Sequence, residues 1–172
     1  MKDRAAAAAE GMLLAWWAEK GPDRPAVITA YGDRTFGELN ANINRLVRAL
    51  RARGLAPGDS VALMCTNRPE FLEVLYAAQR SGLRLTPINW HLTGEEAAYI
   101  VANCEAKAFV GATELGDKIA EASGAGSGSG AGLVRLAVGG DRPGFASYDE
   151  VIAAEDGADI DEPVIGTQML YT

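Results

Sequence analysis

The sequence has few of the residues that build metal, thiol or disulfide sites. Its 172 residues include two cysteines and one histidine. Cys65 and Cys104 form no C-x-x-C pair, which leaves a thiol redox or zinc site without support. A lone histidine cannot build a metal site. Because both cysteines lie in or beside predicted core elements, we expect free buried thiols in a reducing cytoplasm and no set of metal ligands.

Positive charge and long apolar runs are also scarce. The 23 acidic residues outnumber the 16 basic ones, which gives a net charge of −7 and argues against a nucleic-acid-binding surface. No apolar run reaches the length of a transmembrane helix. Glu10 interrupts the apolar N-terminal stretch and no clear small-residue cleavage site follows, which disfavours a signal peptide. A cytoplasmic protein is therefore expected.

The stretch from Asp59 to Asn89 predicts a β-α-β unit. Its almost continuous apolar run at 60–65 is typical of a strand buried on both faces, and a second short apolar stretch follows at 83–88. Pro69 suits the first turn of the helix between them, and Gly82 suits its end. The helical spacing assigns Phe71, Val74, Leu75 and Ala78 to the buried face, and Glu70, Glu73, Gln79 and Arg80 to the opposite side.

The flanking sequence extends this pattern on both sides. A short helix is predicted from Met12 to Lys20, with Leu13, Trp16 and Trp17 on its buried side. A hairpin turn follows at 31–33, and capping boxes at Thr35/Glu38 and Thr93/Glu96 open two further helices. Four strands between Ser60 and Val138 alternate with helices. The pattern predicts an α/β fold, with a doubly wound, mostly parallel sheet, flanking helices and a leading β-hairpin.

Most polar clusters favour structural roles over binding roles. The glycine-rich run at 124–132 follows a helix and precedes a strand, which is the wrong order for a dinucleotide fingerprint, so we predict a flexible loop. The acidic segment 156–162 predicts a surface loop. Four arginines on the helix that begins after Thr35 are interpreted as a solvated surface rather than an anion-binding face. Glu70 is interpreted as a favourable negative charge at the N-terminus of the next helix. These arginines are Arg45, Arg48, Arg51 and Arg53.

Trp90 and His91 follow a predicted strand at the end where open α/β sheets gather ligands. No nucleophile surrounds His91, so it receives no catalytic role, and a structural or rim position is favoured. Trp90 is equally suited to line an apolar pocket or to cover a sheet edge. Both residues are candidates for the rim of a substrate pocket. The residues alone predict a soluble α/β domain, and the apolar segment from Val164 to Thr172 indicates a part of a longer protein.

Several motifs together resemble the N-terminal part of the adenylate-forming superfamily, in particular its acyl-CoA synthetases. Arg34-Thr35-Phe36-Gly37-Glu38-Leu39 with Asn44-Arg45-Leu46 is similar to the first core motif of the family. The blocks around Gly58-Asp59, Asn67-Arg68-Pro69-Glu70-Phe71 and Pro87-Ile88-Asn89-Trp90-His91-Leu92 follow in the order of the family. Met169-Leu170-Tyr171-Thr172 resembles the approach to its phosphate-binding loop.

The resemblance implies a two-step ligase that uses ATP, Mg²⁺ and coenzyme A. A carboxylic acid, in our interpretation a fatty acid, attacks the α-phosphate of ATP, and the thiol of coenzyme A then takes the acyl group from the adenylate. The chain 1–172 would be an incomplete N-terminal subdomain of the larger synthetase domain, inactive alone and without a tightly bound cofactor. Thr172, at the start of the phosphate loop, is the only residue to which the resemblance assigns a role in nucleotide binding.

Three alternatives remain open from the sequence. In the first alternative, the parent protein activates an aryl acid. In the second, it transfers the acyl group to a carrier protein instead of coenzyme A. The third alternative is a stand-alone, non-catalytic α/β binding module. The incomplete subdomain is also expected to expose apolar surface, which allows a homodimer.

Overall fold

Strands and helices alternate through residues 3–126 and 130–171, which are the residues that the computed structural model describes. The strands are β1 (Pro25–Val27), β2 (Arg34–Thr35), β3 (Ser60–Met64), β4 (Arg84–Pro87), β5 (Ala106–Ala112), β6 (Val134–Val138), β7 (Ala146–Ser147) and β8 (Thr167–Gln168). The helices are α1 (Arg4–Ala9), α2 (Leu13–Lys20), α3 (Phe36–Ala52), α4 (Pro69–Arg80), α5 (Gly94–Asn103), α6 (Asp117–Ser123) and α7 (Tyr148–Ala153). A 3₁₀ turn at Thr113–Leu115 precedes α6.

The sheet confirms the predicted fold class. Its strand order is β7-β6-β5-β3-β4-β8, and neighbouring strands pair in parallel. The strands β1 and β2 form the separate antiparallel hairpin. Beyond the four predicted strands, the sheet gains β7 and β8, each only two residues long. Such short edge strands carry too few residues for an alternating pattern to be visible in the sequence.

Every residue of β3 is buried, because helices cover both faces of the sheet. On one face Val61 and Leu63 pack with apolar residues of α3, α4 and α7. On the other face Ala62 and Met64 pack with α5 and α6. Both predicted capping boxes are present, with Thr35 opening α3 and Thr93 opening α5. The predicted β-α-β unit is thus the centre of the molecule.

The residues predicted to form the buried face of α2 are not the ones that are buried. Leu14 and Ala15 are buried, whereas Leu13, Trp16 and Trp17 are only partly covered. The Trp17 ring stacks on Phe36 with 6.1 Å between ring centroids, and cationic side chains lie over both indoles. Large rings at a helix surface can bury one side in this way while the other side faces cations and solvent.

Loops were predicted at residues 124–132 and 156–162. Gly124 ends α6 in the left-handed conformation, with φ of 64°. Residues 127–129 of the predicted flexible loop lie outside the described residues, so its flexibility stays a prediction. The segment 156–162 has neither helix nor strand, and Ile160 within it is buried at 7% exposure.

Candidate functional site

The carboxyl ends of the parallel strands meet at one edge of the sheet. In doubly wound sheets, ligands bind at this edge where consecutive connections leave in opposite directions. Here β3 is followed by α4 on one face, and the neighbouring β5 is followed by α6 on the other. The crevice between the ends of β3 and β5 is therefore the position at which the fold predicts a ligand.

Side chains bridge this crevice and fill it. Thr66, just after β3, donates to the carboxylate of Glu114 at 2.6 Å, and Arg68 Nη1 approaches the same carboxylate at 3.3 Å. The Arg68 guanidinium also lies 4.4 Å from the centroid of the Tyr31 ring. A Cβ atom added at Gly139 would lie 2.8 Å from Arg68 Nη2. The crevice between β3 and β5 is thus occupied by a partly exposed Arg68–Glu114 ion pair.

The charged cluster continues into the interior through α4. Arg68 Nε contacts Glu70 at 3.2 Å, and Arg34 approaches Glu70 at 3.6 Å and Glu73 at 3.1 Å. The carboxylate of Glu73 also accepts hydrogen bonds from Asn42 at 2.9 Å and Tyr148 at 2.8 Å. Arginine and neutral donors together satisfy this buried carboxylate, as a buried charge requires.

The sequence-based assignment of α4 faces is therefore wrong for three of its four polar residues, and two of its four apolar residues, Phe71 and Leu75, are only partly buried. Glu70, Glu73 and Arg80 are buried at 5%, 0% and 0% exposure. The hairpin, α3 and α7 supply partners on the side of α4 that the apolar stripe leaves free. The dipole interpretation of Glu70 was incomplete, because its carboxylate also pairs with two arginines.

The pKa values of Tyr148 and Cys65, which lie beside these carboxylates, favour a structural role for the cluster. Burial, together with the nearby Glu73 carboxylate, raises the pKa of Tyr148 well above its ordinary value. Burial and the carboxylates of Glu70 and Glu114 raise the pKa of the Cys65 thiol to about 12. Neither group ionises near neutral pH, so neither is prepared to act as a base or a nucleophile.

Trp90 and His91 lie beyond the end of β4, and both are exposed. Their rings are in contact with 3.6 Å between centroids and a tilt of 31° between the ring planes. Lys118 Nζ donates to the Trp90 carbonyl at 3.4 Å. A groove of about 570 Å³ lies beside this loop; its lining comprises Asn89, Leu92, Glu95, Glu96, Tyr99, Ile100 and Tyr171. Trp90 and His91 are not lining residues themselves, although Asn89 and Leu92 on either side of them are.

The groove also receives the segment that leads to Thr172. Thr172 itself lies outside the described residues. Tyr171 lines the groove, and its hydroxyl donates to Asn103 Oδ1 at 2.6 Å. Neither Tyr171 nor Tyr99 was predicted from the sequence as a lining residue. Tyr99 is an aromatic residue on an otherwise polar helix face, 66% exposed, and this exception to the pattern was the available signal.

The described residues do not fit a magnesium site. Within residues 3–126 and 130–171, no three His, Cys, Asp or Glu side chains are placed to share a metal ion. The carboxylates at the crevice already face arginine and hydroxyl donors.

The same part of the chain contains no helix that is long and apolar enough to cross a membrane.

Comparisons with known proteins agree on one family. The profile described as AMP-binding enzyme matches residues 14–166. The fatty acid–[acyl-carrier-protein] ligase ScoC of Streptomyces coeruleorubidus is 38% identical over 84 residues, which cover 49% of this chain and 16% of that protein. The indoleacetate–CoA ligase of Aromatoleum aromaticum is 33% identical over 97 residues, covering 54% of this chain and 19% of that protein.

A solved structure shares the fold over almost the whole chain. The fatty acyl CoA synthetase of Mycobacterium tuberculosis superimposes with a TM-score of 0.77 and 25% identity. The match covers 99% of this chain and 33% of that one. The chain therefore spans only a minor part of the length of the proteins that it matches.

Proposed function

Because the chain belongs to the AMP-binding enzyme family, we propose that it is the N-terminal part of an ATP-dependent, AMP-forming ligase. The ligase activates a carboxylic acid, in our proposal a fatty acid, as its acyl-adenylate with release of pyrophosphate. The thiol of coenzyme A then attacks the acyl carbon, which gives the thioester and AMP. The family match over residues 14–166 is the observation that carries this proposal.

We propose that the 172-residue chain alone does not catalyse this reaction. Attack on the α-phosphate requires neutralisation of phosphate charge by main-chain N–H groups, a cation or a metal. The arginines at the crevice already pair with Glu70, Glu73 and Glu114, so they are not free for a phosphate. We accordingly assign ATP and Mg²⁺ binding to residues other than those described, with Thr172 as the first member of the phosphate loop.

Within the described residues, we propose that the groove beside the Trp90–His91 loop lies at the edge of the substrate pocket. The support is its position at the carboxyl ends of the strands and its apolar lining from Leu92 and Ile100. Trp90 and His91 then form the rim of the pocket, with their two rings in contact. A cytoplasmic location and a homodimeric parent also remain proposals.

The names of two relatives support two further candidate functions. ScoC is named as a ligase that transfers a fatty acid to a carrier protein, and the second relative is named for an aryl acid, indoleacetate. Carrier-protein loading and aryl-acid activation therefore stand beside the proposed fatty-acid–CoA reaction. A stand-alone, non-catalytic binding module is the alternative outside the enzyme class.

The test uses the product of the intact source gene, which is first sequenced past the codon for Thr172. The purified protein is assayed for acid-dependent ATP–pyrophosphate exchange with palmitate, octanoate, benzoate and indoleacetate. Thioester formation is then measured with coenzyme A and, in parallel, with a phosphopantetheinylated carrier protein. We expect exchange with the fatty acids and thioester formation with coenzyme A.

The controls separate the alternatives. Exchange restricted to benzoate or indoleacetate would favour the aryl-acid enzyme, and thioester formation on the carrier protein alone would favour the loading enzyme. A gene that ends at Thr172, with no exchange for any acid, would overturn the ligase proposal in favour of a binding module. Exchange by the 172-residue chain alone would overturn its proposed inactivity.

A further inference from the structure

The arginines of α3 bind the main chain of the acidic segment 156–162. Arg48 donates to the carbonyl oxygens of Asp156 at 2.8 Å and Ala158 at 2.6 Å. Arg51 donates to the carbonyl oxygens of Asp161 and Glu162 at 3.2 and 3.3 Å. The interpretation of these two arginines as a purely solvated surface is therefore wrong. The partners are carbonyl oxygens, which sequence patterns do not reveal.

Two asparagines on α3 form an inner layer beneath these arginines. Asn44, which is fully buried, donates to the Gly157 carbonyl and to Asp159 Oδ1, both at 3.0 Å. Asn40 donates to the same Asp159 oxygen at 2.8 Å. The Oδ1 atoms of both asparagines accept hydrogen bonds from Arg80 Nη1, at the end of α4. We call Asn40, Asn44, Arg48, Arg51 and Arg80 the clasp.

The main chain at the end of α4 holds the residues that follow the segment. The Arg80 carbonyl accepts from Val164 N–H at 3.0 Å, and the Gln79 carbonyl accepts from Gly166 N–H at 2.8 Å. A Cβ at Gly166 would lie 2.3 Å from the Ala78 carbonyl oxygen, so only glycine permits this approach. The strand β8 begins at the next residue and has only two residues in register with β4.

We propose that Asn44 and Arg80 are positioning residues, which use the clasp to fix the segment 156–166 and thereby set β8 and the groove wall at Tyr171. A ladder of two residue pairs provides little pairing energy of its own. The position of β8 therefore depends on contacts outside this ladder: the clasp acts on the segment that precedes β8, and the Tyr171–Asn103 hydrogen bond follows it. This inference concerns the fold of the chain and does not depend on the proposed enzymatic reaction.

The charge of Arg80 gives Asn44 its orientation. Burial lowers the pKa of Arg80 to about 10, so the side chain still carries its positive charge at neutral pH. Among the described residues, Nε and Nη2 of Arg80 have no hydrogen-bond partner, so Nη1 makes its side-chain contacts. A cation accepts no hydrogen bond, so the amide oxygen of Asn44 must face Arg80 and its NH₂ group must face the segment.

Hydrogen exchange on the purified 172-residue chain, resolved to single amides, tests the proposal. In Asn44→Ala, we expect protection of the Val164, Gly166 and Met169 amides to fall at least tenfold. The amides of β3 should keep their protection. Asn44→Asp is the second variant, because its carboxylate still accepts from Arg80 but cannot donate to Gly157 and would face the Asp159 carboxylate. We expect it to lose protection in β8 at least as strongly as Asn44→Ala.

Arg53→Gln is the matched control, because Arg53 Nη1 donates to the Ala49 carbonyl of its own helix and not to the segment 156–162. Its exchange pattern should equal that of wild type. Equal loss of protection in β3 and β8, or unchanged protection in β8, would overturn the proposal. If Asn44→Ala does not fold, Arg48→Gln at the solvent side of the clasp is judged by the same two criteria.

Discussion

The hydroxyl of Tyr148 donates a 2.8 Å hydrogen bond to the carboxylate of Glu73, although the two residues are 75 positions apart. Tyr148 opens α7 and Glu73 lies in the second turn of α4. Both side chains are fully buried. Arg34 and Asn42 bind the same carboxylate, so one acidic side chain links the hairpin, α3, α4 and α7.

Tyr148→Phe removes one donor from this buried carboxylate. We expect a loss of about 1–3 kcal/mol in the free energy of unfolding, because Glu73 keeps its charge with one fewer hydrogen bond. Urea denaturation measures the change. Tyr99→Phe is the control, since Tyr99 is 66% exposed and should leave the midpoint unchanged. Equal midpoints for Tyr148→Phe and wild type would show that the contact contributes nothing.

The two cysteines should resist thiol reagents in the folded protein. Cys65 is 3% exposed and Cys104 1% exposed, and burial raises the pKa of each thiol. The thiolate is the reactive form, so both access and ionisation oppose modification. We expect no reaction with Ellman's reagent at pH 8 until urea unfolds the chain, when two thiols react. Stoichiometric labelling of the native protein would contradict this expectation.

The two capping boxes should make the free energy of unfolding depend on pH in the acidic range. Hydrogen bonds from Thr35 lower the pKa of Glu38 below its ordinary value of 4.5, and those from Thr93 do the same for Glu96. A carboxyl whose folded pKa is lowered stabilises the fold above its unfolded pKa, and this stabilisation is lost as the pH falls through the folded pKa. Wild type should therefore lose stability below about pH 4.5.

A double variant, Glu38→Gln with Glu96→Gln, isolates this effect. Glutamine keeps the geometry of a capping box but does not titrate, so the two stability curves should converge as the pH falls. Thermal midpoints between pH 6.5 and 3 measure them. Glu95→Gln, next to the box on α5, should follow the wild-type curve in shape. Curves for wild type and the double variant that stay parallel over the whole range would refute the prediction.

Gly139→Ala should disturb the ion pair in the crevice. The new Cβ would lie 2.8 Å from Arg68 Nη2, and Gly139 has φ of 81°. Gly132→Ala is a matched control, with φ of 84° and open space around the added carbon. Backbone strain should cost about 1 kcal/mol in both variants. Displacement of Arg68 from its carboxylates should cost about 1 kcal/mol more in Gly139→Ala alone, measured by urea denaturation. Equal losses in the two variants would show that Arg68 adapts freely.

The sequence predicted the parts of the fold that depend on local pattern. The buried strand β3, the parallel β-α-β unit and both capping boxes are confirmed, because each produces a periodicity or a spacing within a few residues. The burial of Glu73 was not predictable in this way. Its partners Arg34 and Tyr148 are far away in sequence, and a charged residue opposite an apolar stripe ordinarily indicates solvent.

The candidate site was predictable in place but not in detail. The position of Trp90 and His91 in the loop after β4 could be predicted from the order of the strands, and their role at a pocket rim stays a prediction. The filling of the crevice by Thr66, Arg68 and Glu114 depends on side-chain contacts between separate connections. The groove at Tyr171 depends on β8, whose two paired residues leave no pattern in the sequence.

The shortness of both outer strands has a consequence for how copies of this chain can associate. An exposed strand edge is a template for adding further strands, and long apolar edges lead to aggregation and domain swapping. Here the sheet ends in Ala146–Ser147 on one side and Thr167–Gln168 on the other. Within residues 3–126 and 130–171, each outer strand thus presents only two residues of main chain to a neighbouring copy. For the described part of the chain, we therefore expect association through side-chain surfaces to be favoured over addition of strands to the sheet.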